Sequence, residues 1–133
     1  MVLTKLSVII PAYNEARTIH LILDKVIAVE LVNQIQKEII IVNDASKDNT
    51  REVIETFIEK YPNHNIQLYN QEVNKGKGAA IHKGIELASG EFLIVQDADL
   101  EYDPREYNLL LKPVIEGFAD VVYGSRFMGH HPH

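Results

Sequence analysis

The chain has 133 residues, 46% of them hydrophobic and 24% charged, a balance that excludes disordered and fibrous classes and suits one domain with a real core. A formal net charge of -6 argues against a duplex nucleic-acid binder, which needs a basic face for its phosphate contacts. With no cysteine, disulfides and thiolate zinc sites are excluded as well.

Hydrophobic spacing predicts a strand over residues 6–10, then a helix carrying Ile19, Ile22, Leu23, Val26 and Ile27. A second strand follows over 38–42, a helix with Val53, Ile54, Phe57 and Ile58, and a third strand over 66–69. The next helix starts near Lys77, carries Ala80, Ile81, Gly84, Ile85 and Ala88, and is expected to close at Gly90 as a C-terminal cap. A fourth strand is expected over 92–95 and a fifth over 120–123. Between them a helix opens at Asp103-Pro104, a cap followed by proline, and stops near Gly117, with Pro113 expected to kink or split it.

Ile and Val runs without polar alternation imply strands buried on both faces, hence parallel and covered by helices. Repeated strand, helix, strand units predict a doubly wound α/β fold with right-handed crossovers. No apolar stretch approaches the roughly 20 residues that span a bilayer, and the N-terminus lacks a signal-peptide layout. The expectation is a cytoplasmic chain.

In such folds ligands bind beyond the carboxyl ends of the strands, and the polar residues of this chain cluster there. Asp97-Ala98-Asp99 follows the apolar run 92–95 and leads into Leu100-Glu101-Tyr102-Asp103. Carboxylates one residue apart repel, and a divalent cation with oxygen ligands keeps such a pair ionised and together. Phosphate chemistry is the implied task. After the first strand comes Pro11-Ala12-Tyr13-Asn14-Glu15, and after the second Asn43-Asp44-Ala45-Ser46. Tyr13 can stack on a base, while Glu15 and Asp44 can accept hydrogen bonds from base or ribose. Asn14 or Glu15 can equally cap a helix, and the cap is the favoured role for Asp48.

Asn74-Lys75-Gly76-Lys77-Gly78 is a cationic turn ahead of a helix, where backbone N–H groups and lysine charge meet phosphate. It lacks both the Walker spacing and the third glycine of a dinucleotide fingerprint, so a plain glycine-rich turn stands beside the phosphate reading. Arg126, in Gly124-Ser125-Arg126, is expected on the same rim, with a surface salt bridge as its default alternative.

Taken together, Val8 to Glu15, Val42 to Ser46, Asn74 to Gly78, Gln96 to Pro104 and Gly124 to Phe127 resemble the family 2 glycosyltransferases with a GT-A fold. They are most similar to the polyprenyl-phosphate (dolichyl-phosphate) mannosyltransferase branch. The resemblance implies a Rossmann-like, mostly parallel sheet with helices on both faces, and a single donor-binding domain over 1–133 that is incomplete at its C-terminus. It implies nucleotide-sugar contacts at Pro11, Ala12, Tyr13, Glu15, Asp44, Lys77, Asp97 and Ala98. Asp97, Asp99 and Glu101 would hold Mg2+ or Mn2+, and Asp99 and Arg126 would serve the transfer itself.

The implied function is metal-dependent, inverting transfer of mannose from GDP-mannose, or glucose from UDP-glucose, to a polyprenyl phosphate, peripheral to the inner face of a membrane. The short chain is expected to bind donor while transferring weakly or not at all, and an exposed sheet edge is expected to favour homo-oligomers. Two other readings stay open. A non-catalytic nucleotide-sugar-binding module would bind without transfer, and a nucleotidyltransferase would release pyrophosphate.

Overall fold

Branched aliphatic runs with no polar alternate become the centre of a parallel sheet because both of their faces must be covered. The computed structural model describes residues 3–98, 103–116 and 127–130, the last group by its backbone. Its strands are β1 (Lys5–Ala12), β2 (Gln36–Asn43), β3 (Ile66–Asn70), β4 (Phe92–Val95) and β5 (Phe127–His130), in the spatial order β3-β2-β1-β4-β5. The first four pair in parallel and β5 runs antiparallel to β4. The helices are α1 (Ile19–Ala28), α2 (Thr50–Lys60), α3 (Lys77–Leu87) and α4 (Tyr107–Ile115).

Side-chain alternation divides the core into two layers. Leu6, Val8 and Ile10 of β1, with Ile39 and Ile41 of β2 and Phe92 and Ile94 of β4, meet α1, α2 and α4 on one face. Ile9, Ile40, Val42, Leu93 and Val95 turn to the other face and meet α3 through Ala80. A Cβ on Gly84 would lie 2.4 Å from Cγ2 of Ile9, so the absent side chain is what lets α3 sit close on the sheet. This is the mostly parallel sheet with helices on both faces that the spacing predicts.

Two local expectations need correction. Gly90 does not cap α3: the helix stops at Leu87, and Ala88 takes the C-cap position with extended backbone (φ -72°, ψ 142°). Gly90 is small for a different reason, because a Cβ there would meet Ser7 Oγ at 2.7 Å and Lys5 O at 2.8 Å. Pro113 does not split the last helix either. A 3-10 turn over Pro104–Glu106 precedes α4, and the helix runs through Pro113, with Glu116 N donating to Lys112 O. The Asp103 cap is present, its carboxylate accepting from Arg105 N. The helix ends at Ile115 with Glu116 at the C-cap position, close to the expected stop near Gly117, and the strand expected over 120–123 lies outside the described residues.

Polar groups tie the amino end of the sheet. Glu38 on β2 is 3% exposed, and its carboxylate accepts from Ser7 Oγ (2.8 Å), Ser89 N (2.8 Å) and Ser89 Oγ (2.7 Å). Gly90 N donates in turn to Ser7 Oγ at 2.9 Å. Burial raises the Glu38 pKa, but the Ser89 and Ser7 hydrogen bonds and the Lys5 charge outweigh it and hold the carboxyl below its ordinary 4.5. A depressed folded pKa means that the stabilisation is complete above the unfolded value and is lost as pH falls through the folded one.

Glu38→Gln is accordingly expected to lower unfolding free energy by about 1–3 kcal/mol near neutral pH, where an amide misplaces a donor against donors. It should also flatten the loss of stability below pH 4.5. Urea titrations across that range test this, and parallel curves for the two proteins would refute it.

Lys37 closes α1 from below, donating to the carbonyls of Val26 (2.7 Å) and Ile27 (2.9 Å). Burial pulls its ammonium pKa down to about 8, against the raising effect of Glu30.

Candidate functional site

From β1 the chain builds outward through β2 to β3, then crosses to the opposite side of β1 to lay down β4. The sheet therefore reverses direction between β1 and β4, and the crevice beyond their carboxyl ends is where α/β folds take ligands. A cavity of about 250 Å³ opens there. From the first two strands it is lined by Pro11, Ala12, Tyr13, Glu15 and Asp44. From the α3 and β4 side come Lys77, Asp97 and Ala98, with Asn74, Gly76 and Ala80 completing the wall. The candidate donor-binding residues named from the sequence thus gather around one space, while Asp99, Glu101 and Arg126 lie outside the described residues.

The loop after β1 is locked to the loop after β2. Asn14 has positive φ (53°), a conformation asparagine tolerates better than most residues, and so does Ala45 (56°). Asn14 Oδ1 accepts from Lys47 N at 2.8 Å, and Asn14 N donates to Ser46 Oγ at 2.9 Å. Asn14 is thus a loop clasp. Asp48 stands one residue before the N-cap Asn49 of α2, and its carboxylate accepts from the first helical N–H, Thr50 N, at 3.0 Å. The carbonyl of Glu15 receives Ile19 N at 2.9 Å, which starts α1, while its side chain remains at the cavity wall. Tyr13 is 39% exposed, with its ring available at the mouth.

Asp44 is 3% exposed, and its carboxylate is engaged by the turn ahead of α3. Lys75 N donates to Oδ1 and Gly76 N to Oδ2, both at 2.8 Å, and Gln71 Nε2 reaches Oδ1 at 3.3 Å. Gly76 sits at φ +96°, open to glycine and strained for other residues. Asp44 therefore sets the angle at which the first turn of α3 faces the cavity. That turn carries no acidic side chain, so its N–H groups and helix dipole favour an anion.

Across the cavity, Asp97 is 5% exposed, and Lys77 Nζ lies 2.6 Å from its Oδ1. The position already holds a positive charge against a hard oxygen, which is the donor type that Mg2+ and Mn2+ take. Among the described residues there is no group of three or more His, Cys, Asp or Glu side chains that could hold an ion. Asp97 places one carboxylate on this wall of the cavity, beside those of Glu15 and Asp44. Asp103 spends its carboxylate on Arg105, whose side-chain hydrogen bond holds the Asp103 pKa down at about 2.

Residues that the spacing did not single out support this arrangement. Gln96, fully buried, accepts from Tyr107 Oη at 2.6 Å and donates to Asp97 O at 3.3 Å, so α4 steadies the chain where it leaves β4. The Thr18 hydroxyl donates to Ala98 O at 2.8 Å, joining the start of α1 to the same segment. A buried-strand glutamine next to a carboxylate motif was the available signal for the first, and nothing local marked the second.

Residues 7–130 match the family described as Glycosyl transferase family 2. Over 131 residues the chain is 35% identical to the dolichyl-phosphate beta-glucosyltransferase of Dictyostelium discoideum, an alignment covering 91% of this chain and 39% of that protein. Mannosyltransferase PcManGT from Pyrobaculum calidifontis, solved in complex with GDP-Man and Mn2+, superposes with a TM-score of 0.69 at 28% identity, over 86% of this chain and 32% of that one. TarS of S. aureus in complex with UDP-GlcNAc superposes with a TM-score of 0.74 at 28% identity, over 89% and 33%. The fold is that of GT-A glycosyltransferases. The chain spans 39% and 40% of the length of two curated relatives it matches. Because the family match runs from β1 through β5, the chain belongs to glycosyl transferase family 2.

Proposed function

We propose that this chain is the donor-binding domain of a metal-dependent, inverting glycosyltransferase that moves glucose or mannose from a nucleotide-sugar to a polyprenyl phosphate. The observation that carries the proposal is the meeting of Asp97, Lys77, Asp44 and Tyr13 around one cavity at the switch point of the sheet. Tyr13 is suited to stack on the base, and Glu15 offers the ribose or base an acceptor. The first turn of α3 and the Lys77 ammonium face the diphosphate, where negative charge grows as the sugar bond breaks.

Asp97, with Asp99 and Glu101 from the adjoining segment, would hold Mg2+ or Mn2+, which when bound supplies Lewis-acid stabilisation of the departing diphosphate. Arg126 would serve the donor or acceptor phosphate. A lipid phosphate is already an anionic nucleophile and needs little general-base help, which agrees with a cavity rich in anion and cation contacts. Dolichyl-phosphate glucosyltransferases among the relatives support the polyprenyl acceptor and favour glucose. No described helix is long and apolar enough to cross a membrane, and work at a membrane surface is part of the proposal.

Calorimetric titration with UDP-glucose and GDP-mannose, with and without Mn2+, tests it. Binding of one donor that depends on Mn2+ is the expected result. Absence of binding by either donor, or release of pyrophosphate on turnover, would overturn it.

A further inference from the structure

Lys77 is the first residue of α3, and its side chain is 59% exposed although its ammonium lies 2.6 Å from the Oδ1 of a carboxylate that is only 6% exposed. The two ends of this ion pair are unequal. Asp97 is fixed where β4 ends, whereas Lys77 swings on a flexible stem with solvent around it and can leave without opening the core. Asp44, the other buried carboxylate at the cavity, is taken up by the N–H groups of Lys75 and Gly76.

Two cations cannot share the bonding position at one carboxylate oxygen without strong repulsion. A divalent ion arriving alone displaces the ammonium if it takes Oδ1 and binds against its repulsion if it takes the second oxygen, so the Lys77 charge opposes it either way. A diphosphate arriving with it gives the ammonium a more highly charged partner on the same side of the cavity. We propose that Lys77 is the exchangeable counter-ion of Asp97, occupying the cation position in the free protein and moving to the diphosphate on binding, so that divalent cation and nucleoside diphosphate bind as a coupled pair. The inference rests on the donor-site reading given above and adds an order to it. Linkage makes the coupling reciprocal: whatever factor the nucleotide adds to metal affinity, the metal adds to nucleotide affinity.

The test measures Mn2+ binding by electron paramagnetic resonance of the free ion, on the whole chain, with and without UDP or GDP, for the parent protein, Lys77→Met and Lys77→Arg. In the absence of nucleotide, Lys77→Met is expected to bind Mn2+ about tenfold more tightly than the parent, because a competing charge has gone. Nucleotide should strengthen Mn2+ binding by about fivefold or more in the parent, and much less in Lys77→Met. Lys77→Arg keeps the charge and should stay close to the parent.

Should the parent show coupled binding while Lys77→Met holds Mn2+ no more tightly than it does, the exchange is refuted and the donor site stands. An arginine variant that behaves like methionine would refute it too. A parent chain that binds neither nucleotide with Mn2+ would overturn the donor site and the exchange together.

Discussion

Asp97→Asn is expected to weaken Mn2+-dependent binding of the nucleotide-sugar by roughly 100-fold or more, the scale of several kcal/mol of metal-borne charge stabilisation. Asparagine keeps the shape and one oxygen, so the change isolates the charge. Loss of the ion pair itself should contribute little to any change in fold stability. The partner Lys77 is 59% exposed, so removing the carboxylate leaves an ammonium in water instead of stranding a buried charge. Donor titration with and without Mn2+, read beside a urea unfolding curve, separates the outcomes. Unchanged metal dependence would remove Asp97 from the cation site, and a collapsed unfolding midpoint would make it a structural residue.

Asp44→Asn is expected to act on both readouts at once. The carboxylate receives backbone donors on each oxygen, Lys75 N on Oδ1 and Gly76 N on Oδ2. An amide offers one oxygen and turns its own N–H groups toward the other donor, which leaves a partly buried N–H unpaired at a cost of about 1 kcal/mol. The turn at Gly76 then loses the contact that aims α3, and nucleotide affinity should fall about tenfold as the N-terminal anion site loosens. If Asp44 served only as a direct contact for base or ribose, affinity would fall with stability intact. Calorimetry and unfolding on the same variant tell these apart.

Between this pair of residues lies the contrast in what was readable. Asp97 was named from its place directly after an apolar run, and the structure sets it on the cavity wall. Asp44 was read from the same kind of position as a ligand for base or ribose, and the structure gives its carboxylate to the backbone two segments away. Its partners stand 31 and 32 residues further on, beyond the reach of any local pattern. The same holds for Tyr107 on Gln96 and Thr18 on Ala98. Gly90 misled for a related reason: a glycine near a helix end resembles a cap, and only the approach of β1 reveals that it is excluding a side chain.

Local chemistry was enough to establish the first four strands, whose apolar runs satisfy their burial inside a covered parallel sheet, and β4 occupies the same residues in both accounts; the antiparallel β5, which lacks such a run, was not foreseen. It was enough, too, to name the polar residues that follow those strands. Strand order belongs to the tertiary structure, which sets β1 between β2 and β4 and so brings the segments that follow β1, β2, β3 and β4 to one cavity. Which charge meets which, Lys77 with Asp97 and the α3 turn with Asp44, follows from that order, because Coulomb and hydrogen-bond energies depend on distance in space and are blind to separation along the chain.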